Sequence, residues 1–424
     1  MNKTISKQLN KSKEASVSFG LLPHKKRILI LKNLINGLVK SKKLILKANA
    51  KDLKNFSLFS LADPMRDRLL LNDARISNMI KEIKNIIKMP DPIGKLFDCR
   101  NSKENKELKI CRKRVPMGVV AVVYESRPNV TTNVASICIK SGNAVILKGG
   151  KEARETCIIL HKIIKNALVL SGVSSEVVTL IDPNTKDAVK SVIQAHDLVD
   201  VVIPRGSAGL INFVRKNATV PVIETGAGVC HTFVDQFAKL NLSARVVFNA
   251  KTQRPSVCNS LDTLLVHTKI AKKFLPIVAK LLVKKQVEIF SDAKSFAILK
   301  NHYPANLLRR AKPADFGREF LSQKMSVKIV SDIEEAIQHI CKYSSKHSEA
   351  ILSENKQNCQ KFLDAVDASV VYKNASTRFS DGAVFGLGSE IGISTSKLHA
   401  RGPMGPKEVT TYKWVVTGKY SVRS

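Results

Sequence analysis

Apolar residues recur at helical spacing through the first part of the chain. Positions 28–38 carry apolar side chains every three or four residues, which puts them on one face of a helix. The same spacing continues over 41–55. A cleaner stripe follows Asp73 and stops before Pro90, because proline does not fit the interior of a helix. We interpret these stripes as core packing between helices.

From residue 119 onward, short continuous apolar runs alternate with helical stretches. Such runs are typical of strands that are buried on both faces. The predicted strands are 119–124, 143–147, 177–181, 199–203, 220–223, 261–266, 287–290, 327–330, 350–352 and 369–372. The predicted helices among them are 131–140, 153–169, 185–195, 270–284, 333–343 and 356–366. This alternation predicts parallel, doubly wound α/β sheets, which bind ligands at the carboxyl ends of their strands.

Two further stretches are predicted to be extended. Leu108 and Ile110 alternate with charged residues inside the polar stretch 94–115, which indicates a strand or hairpin. Residues 410–417 are also strand-like. From the residues alone, this stretch is an edge hairpin protected by charged side chains.

The composition is that of a globular protein with a large positive charge. The 424 residues carry a net charge of +35 and are 44% hydrophobic, so two or more domains are expected. The lysines are scattered and lack interleaved aromatic side chains, so we expect no specific nucleic-acid site. No apolar run approaches the roughly 18 residues that span a bilayer, and no secretory signal is apparent. We therefore expect a cytoplasmic protein without a membrane partner.

Eight cysteines are present, without CxxC or zinc-site spacing. In a cytosolic protein we expect free thiols and no bound metal. Cys258 stands apart because it lies in the polar run 249–260, shortly after Arg254. A guanidinium and the N–H groups of a helix start would favour its thiolate, which is the nucleophilic form. From the local residues alone, a small buried hydrophobe is the better interpretation.

The run 251–259, Lys-Thr-Gln-Arg-Pro-Ser-Val-Cys-Asn, resembles the nucleophile segment of the gamma-glutamyl phosphate reductases, which are also called glutamate-5-semialdehyde dehydrogenases and belong to the aldehyde dehydrogenase superfamily. Further motifs similar to that family occur in the same order at 115–120, 124–130, 140–150, 203–207, 228–231, 374–379, 385–388 and 397–405. The resemblance covers nearly the whole chain and is weakest over the first fifteen or so residues and around 304–320.

The resemblance implies an aldehyde dehydrogenase-like fold with two doubly wound α/β domains, a small oligomerisation hairpin and a C-terminal strand. It implies an NADP-binding domain over 1–250 with the hairpin near 100–115, a catalytic cysteine domain over 251–385, and a return segment with the oligomerisation strand over 386–424. The implied reaction is the reduction of L-glutamyl 5-phosphate to L-glutamate 5-semialdehyde in proline biosynthesis, through a thioester on Cys258. A homo-oligomer is implied, and a transient contact with glutamate 5-kinase is left open.

The cofactor site has no GxGxxG motif, so its residues follow from the resemblance. The implied set is Lys148, Gly149, Gly150, Arg205, Gly206 and Ser207. Ordinary turn glycines are the alternative interpretation. A cation at Lys148 suits a 2′-phosphate, so NADPH is favoured over NADH as the cofactor.

Two more residues are candidates near the reacting atoms. The separation of Glu224 from Cys258 resembles that between the general base and the nucleophile in the superfamily. Because a phosphate-exchanging enzyme must not hydrolyse its thioester, we assign Glu224 to cofactor placement, with a solvated loop carboxylate as an equal alternative. Asn129 is the candidate oxyanion donor, together with the Cys258 N–H, and each such donor lowers a barrier by roughly 3 kcal/mol.

Substrate binding is assigned to basic residues. Arg127, Arg254 and Arg401 suit the acyl phosphate and the α-carboxylate, because a guanidinium binds oxyanions through two parallel bonds. His399 is a candidate acid for the departing phosphate. Surface ion pairs and a structural histidine are the alternative interpretations.

Two other functions stay open at this point. One is another acylating aldehyde dehydrogenase of the same superfamily, which would differ only in its substrate. The other is a non-enzymatic basic protein that binds nucleic acid, and it predicts salt-sensitive binding without thiol reactivity.

Overall fold

The computed structural model describes residues 2–56 and 63–423, and the chain divides into two compact units. The first unit comprises Met1–Glu224, Phe385–Gly392 and Leu398–Ser424. The second unit comprises Thr225–Val384 and Ile393–Lys397. The predicted division into functional domains stays a prediction.

Helices and strands alternate through most of the described chain. The helices are α1 (Lys3–Gly20), α2 (His24–Lys40), α3 (Lys42–Lys54), α4 (Asp63–Leu69), α5 (Asp73–Lys88), α6 (Asn129–Lys140), α7 (Arg154–Leu170), α8 (Ala188–Ile193), α9 (Ala208–Asn217), α10 (Leu240–Thr252), α11 (Thr268–Leu282), α12 (Ala293–Leu299), α13 (Ile333–Tyr343) and α14 (Lys356–Ala365). The strands are β1 (Leu96–Asn101), β2 (Lys109–Pro116), β3 (Val119–Tyr124), β4 (Ala144–Lys148), β5 (Val178–Leu180), β6 (Val201–Arg205), β7 (Cys230–Val234), β8 (Leu261–His267), β9 (Glu288–Ser291), β10 (Leu308–Arg310), β11 (Lys324–Val330), β12 (Ser348–Leu352), β13 (Val370–Lys373), β14 (Ile393–Ser394), β15 (Gly402–Pro403) and β16 (Thr410–Thr417).

The helices predicted from apolar stripes are confirmed as α2, α3 and α5. Helix α5 begins where the Asn72 side chain accepts a hydrogen bond from the Arg75 N–H, and it buries the apolar stripe. Helix α1 lies outside those stripes, because its buried face includes the polar residues Ser12 and Ser16. Among residues 2–56 and 63–423, no helix combines the length and the apolar character that crossing a membrane requires.

A parallel sheet in the order β5-β4-β3-β6 lies at the centre of the first unit. Strand β3 is buried along its whole length, as expected for a strand covered on both faces. The strand predicted at 220–223 is wrong. Only an isolated bridge joins Val222 to Val202, and Pro221 has no N–H to extend a ladder.

The predicted hairpin and C-terminal strand are confirmed, and they pair in an antiparallel sheet of order β1-β2-β16 within the first unit. The expectation that every cysteine is a free thiol is wrong for one pair. Cys99 and Cys111 form a disulfide between β1 and β2, with their Cα atoms 4.2 Å apart. Antiparallel pairing brings them together, and their spacing in the sequence does not reveal that register.

The second unit is built on a parallel sheet in the order β10-β9-β11-β8-β7-β12-β13. Five of its strands match predicted runs. Strand β7 next to its centre was not predicted, because its first three residues, Cys230, His231 and Thr232, do not make a plain apolar run, although all are buried. The parallel doubly wound arrangement predicted for both units is confirmed.

Candidate active site

Cys258 lies in a loop, residues 253–260, that joins α10 to β8 and that we call the nucleophile loop. The loop follows the carboxyl end of α10, so no helix begins directly after Cys258 in the chain. It also lies at the amino end of β8. The ligand position at strand carboxyl ends, expected for doubly wound sheets, therefore does not apply to this cysteine.

Cys258 is the half-buried thiol among the free cysteines of the described residues. Cys138, Cys157, Cys230 and Cys359 are buried, whereas Cys341 is exposed on α13. Burial raises the pKa of each of the four buried thiols, that of Cys157 to about 11. Because the thiolate is the reactive form, these four are poor nucleophiles near neutral pH.

The backbone behind Cys258 is packed closely against the turn before β7. A Cβ atom added to Gly228 would lie 1.5 Å from the Cys258 carbonyl oxygen, so only glycine fits there. The Cys230 thiol donates a hydrogen bond to that same oxygen, with an Sγ···O distance of 3.2 Å. The Gly228 N–H donates to Glu319 Oε1 at 2.9 Å. The segment 304–320, where the family resemblance is weak, thus supplies a carboxylate that holds this turn.

Asn259 fixes the other side of the thiol. Its side-chain Nδ2 donates to the Ser380 carbonyl at 2.9 Å, and its backbone carbonyl accepts from Thr377 Oγ1 at 2.7 Å. Asn259 is buried, so these bonds are shielded from water. They join the nucleophile loop to the helical turn Thr377–Phe379 and hold the residue that follows Cys258.

The same turn brings Arg378 to the loop. Its Nε donates to Gln253 Oε1 at 2.9 Å, and its carbonyl accepts from Asn259 Nδ2 at 3.4 Å. The motif 374–379 contributes to the family resemblance, but the sequence alone assigns this arginine no role. Arg254, which the sequence did single out, is exposed on the loop itself.

Buried charges lie at the two ends of the nucleophile loop. Lys251 is fully buried, donates to the Leu261 carbonyl at 2.8 Å and lies 3.6 Å from Asp262. Burial lowers the pKa of Lys251 and raises that of Asp262 to about 6, while their mutual attraction opposes both shifts. Asp262 also accepts a hydrogen bond from the Phe320 N–H at 3.1 Å. Breaking such a pair leaves an uncompensated buried charge, so it anchors the start of β8.

In the first unit, the predicted cofactor residues Lys148 to Gly150 and Arg205 to Ser207 lie at the ends of β4 and β6 and in the turns that follow, and the turn after β3 contacts both. Lys148 ends β4 and is half-buried; burial lowers its pKa, and the Glu152 carboxylate opposes that shift. Glu152 accepts hydrogen bonds from Ser126 through the backbone N–H at 2.5 Å and through Oγ at 2.8 Å. This region therefore combines a lysine ammonium with carboxylates already bound to N–H groups.

The first turn of α9 holds a carboxylate of the protein itself. Ser207 is the N-cap of α9, and its N–H donates to Glu125 Oε2 at 2.7 Å. Its hydroxyl donates to the other oxygen of Glu125 at 3.2 Å. The donor set therefore already binds an oxyanion, which is the chemistry that a dinucleotide phosphate requires at a helix start.

The predicted cofactor glycines all lie in close packing. A Cβ atom at Gly149 would meet the Tyr124 ring at 3.3 Å, and one at Gly150 would meet the Glu152 carboxylate at 2.1 Å. A Cβ atom at Gly206 would meet the Glu125 carboxylate at 2.4 Å. Local packing and the two carboxylates thus account for the glycines, alongside any approach of a ligand. Arg205 is the last residue of β6 and half-buried.

The other predicted residues of the first unit are spread over separate elements. Asn129 is the first residue of α6, and Arg127 lies two positions before it. Glu224 lies 4.0 Å from the Arg215 guanidinium. His399 is exposed, and its Nε2 donates to the Glu408 carbonyl at 2.6 Å, which supports a structural role for that ring. Arg401 is exposed.

The chain is similar to known proteins along its full length. The model of the aldehyde dehydrogenase family matches residues 2–295. A gamma-glutamyl phosphate reductase of Chlorobium limicola is 46% identical over 426 residues, and one of Legionella pneumophila is 47% identical over 424 residues; each alignment covers 100% of both chains. The crystal structure of the gamma-glutamyl phosphate reductase of Thermotoga maritima is 42% identical, covers 99% of each chain and matches with a TM-score of 0.92. These matches confirm the aldehyde dehydrogenase-like fold, and the chain belongs to the aldehyde dehydrogenase family and, within it, to the gamma-glutamyl phosphate reductases.

Proposed function

We propose that this protein catalyses the NADPH-dependent reduction of L-glutamyl 5-phosphate to L-glutamate 5-semialdehyde and phosphate, a step of proline biosynthesis. The observation that carries the proposal is the setting of Cys258. It is a half-buried thiol in a polar loop fixed by hydrogen bonds on both sides, in a chain whose full-length relatives are gamma-glutamyl phosphate reductases.

In this proposal the Cys258 thiolate attacks the acyl carbon of the substrate. A carbon–sulfur bond forms, the bond from the acyl carbon to the phosphate oxygen breaks, and phosphate leaves with the bonding electrons. The N–H of Cys258 and the Asn129 amide are the proposed oxyanion donors. The contacts of Gly228 and Asn259 hold the backbone on both sides of the sulfur, which supports covalent catalysis because small displacements of a nucleophile cost large factors in rate.

A bound nicotinamide cofactor supplies the hydride that reduces the thioester. Lys148 is proposed to hold the 2′-phosphate, and Arg205, Gly206 and Ser207 to face the pyrophosphate. The hydrogen bonds of Ser207 to Glu125 support this assignment, because the Ser207 N–H and hydroxyl both donate to an oxyanion there. Glu224 is proposed to place the cofactor and not to act as a base. Arg127, Arg254 and Arg401 stay the proposed substrate contacts, whereas the hydrogen bond of His399 to the Glu408 carbonyl favours the structural role for that ring.

The proposal is tested by assaying the reverse, oxidative reaction with purified protein. Glutamate semialdehyde, phosphate and NADP should give NADPH absorbance, with much slower turnover when NAD replaces NADP or when phosphate is left out. Cys258→Ala should remove turnover and keep NADPH binding, whereas Cys341→Ala should leave turnover unchanged, because Cys341 is exposed on α13.

Substantial turnover by Cys258→Ala would reject the nucleophile assignment. Phosphate-dependent turnover with a different aldehyde, and none with glutamate semialdehyde, would instead favour another acylating aldehyde dehydrogenase. A protein that never consumes or forms NADPH with any of these substrates would reject the proposed function as a whole.

A further inference from the structure

Arg378 contacts the nucleophile loop at two places. Its Nε donates to Gln253 Oε1, and its carbonyl accepts from Asn259 Nδ2. These two partners lie on either side of Cys258 in the chain. The preceding residue, Thr377, donates to the Asn259 carbonyl at 2.7 Å and fixes the turn that carries the arginine. The guanidinium is therefore held against the segment that presents the thiol.

The charges around this arginine support a role with an anion. Burial lowers the pKa of the Arg378 guanidinium, Cys258 raises it, and the nearby Arg254 lowers it. An arginine keeps its proton under such shifts, so two guanidinium groups interact electrostatically at the nucleophile loop. Asp381 also interacts with Arg378, and its carboxylate accepts from the Ala383 N–H at 2.9 Å and the Val384 N–H at 3.4 Å.

The side chains at this position are not sealed in the core. Cys258 and Arg378 are half-buried, and Arg254 is exposed. A half-buried guanidinium has a smaller desolvation cost on binding an oxyanion, because it has already lost part of its hydration. It also offers two parallel N–H bonds in fixed geometry. Lysine would bring charge without that geometry.

We propose that Arg378 binds the phosphate group of the substrate beside Cys258 and receives it when it leaves, with Arg254 as the second cation. This inference rests on the proposed function, because it names the residue that binds the leaving group. As the sulfur bonds to the acyl carbon, the phosphate carries away the electron pair of the broken bond, and the guanidinium stabilises that charge. In the reverse direction the same residue holds phosphate for attack on the thioester.

The test uses inorganic phosphate as the probe and alkylation of Cys258 as the readout, so it does not depend on turnover. Purified full-length protein is treated with iodoacetamide, and the modification of each cysteine is followed by peptide mass spectrometry. We expect phosphate to slow the alkylation of Cys258 and to leave that of the exposed Cys341 unchanged.

Variants assign the effect to the arginine. Arg378→Gln should weaken protection by phosphate about 10- to 100-fold, because it removes a charge-assisted bidentate contact. Arg378→Lys should recover part of it. Arg245→Gln is the matched control, because Arg245 is exposed on α10 and the change removes the same charge elsewhere. Thermal melts of all variants show whether the fold is kept.

A second measurement separates phosphate from the substrate carboxylate. In the reverse reaction, Arg378→Gln should raise the KM for phosphate about tenfold or more and change the KM for glutamate semialdehyde little. The opposite pattern would assign Arg378 to the α-carboxylate and overturn the proposal. Equal protection by phosphate in the wild type and Arg378→Gln would also overturn it. Protection without any turnover would keep the anion site and reject only the proposed reaction.

Discussion

At residue 228 the backbone passes so close to the nucleophile loop that no side chain fits. A Cβ atom at this position would lie only 1.5 Å from the Cys258 carbonyl oxygen, so Gly228→Ala must push the two segments apart. We expect kcat to fall by about 100-fold, because displacements near 1 Å at a reacting group have effects of that size. Alkylation of Cys258 and steady-state kinetics measure the change.

Gly20→Ala is the matched control for that substitution. An added Cβ atom at Gly20 would meet its nearest neighbour, the Pro116 ring, at an ordinary 3.7 Å. We expect wild-type kinetics and stability for this variant. Unchanged kinetics in Gly228→Ala would mean that the loop position does not limit the reaction.

Lys148 makes a separate prediction about the cofactor. Its ammonium ends β4 and interacts with the carboxylates of Glu152 and Glu125. We expect Lys148→Ala to raise the KM for NADPH about tenfold and the KM for NADH much less, because only NADPH has the 2′-phosphate. Lys162→Ala, an exposed position on α7, is the control for lost charge. Equal effects on both cofactors would remove the 2′-phosphate assignment.

Among the elements, α9 gives the clearest prediction, because its first turn binds Glu125. A cofactor phosphate at the same donors would have to displace that carboxylate. Glu125→Gln removes the competing charge and leaves a side chain of similar size. We therefore expect NADPH to bind about threefold more tightly, which matches the usual effect of one charge at a helix start. Titration of NADPH fluorescence measures the dissociation constant.

Glu14→Gln is the control for net charge, since Glu14 is exposed on α1. It should leave the dissociation constant unchanged. Weaker binding in Glu125→Gln would indicate that the carboxylate positions Ser207 for the cofactor and does not compete with it.

The elements also show what a sequence can and cannot predict. Strands such as β3 and β8 follow from continuous apolar runs, because both of their faces are buried. Strand β7 does not, because its buried face includes His231, whose Nδ1 lies 3.0 Å from the buried Glu349 carboxylate. A polar residue that finds a partner in the core looks like a surface residue in the sequence.

The same limit applies to the site. Cys258 and its loop were found by motif, because the residues that define them are contiguous. Glu319 and Arg378 were not found, because their contacts with Gly228 and Gln253 join segments far apart in the chain. The Cys99–Cys111 disulfide likewise depends on the register of β1 against β2. The tertiary fold sets these contacts, and the local sequence pattern does not contain them.

For the whole molecule, two buried histidines and one half-buried histidine predict a loss of stability in acid. Burial lowers the pKa of His161 in the first unit and of His347 in the second to about 4, and that of His339 to about 3. These rings stay neutral in the folded chain, whereas in the unfolded chain they take up protons near pH 6.5. The unfolded state therefore binds more protons between about pH 6.5 and 4, so stability falls as the pH is lowered through that window.

One opposing group lies in the second unit. Burial raises the pKa of Asp262 to about 6, so the folded state binds a proton here before the unfolded state does. This group therefore raises the free energy of unfolding as the pH falls from 6 toward 4. Burial also raises the pKa of Asp52 in the first unit, so two carboxyls oppose the three histidines. The net expectation is a lower free energy of unfolding at pH 5 than at pH 8.

A single substitution measures the contribution of one histidine to this pH dependence. His347 is fully buried, and its Nδ1 lies 2.9 Å from Ser348 Oγ, a contact that an asparagine amide can replace. His347 should lower the free energy of unfolding by about 2 kcal/mol at pH 5 relative to pH 8. His347→Asn should therefore lose that much less stability over this range, as measured by urea denaturation at both pH values. His302→Asn, at an exposed position, should behave like the wild type. If His347→Asn and the wild type lose equal stability, the buried ring is not neutral in the fold, and the acid sensitivity must come from elsewhere.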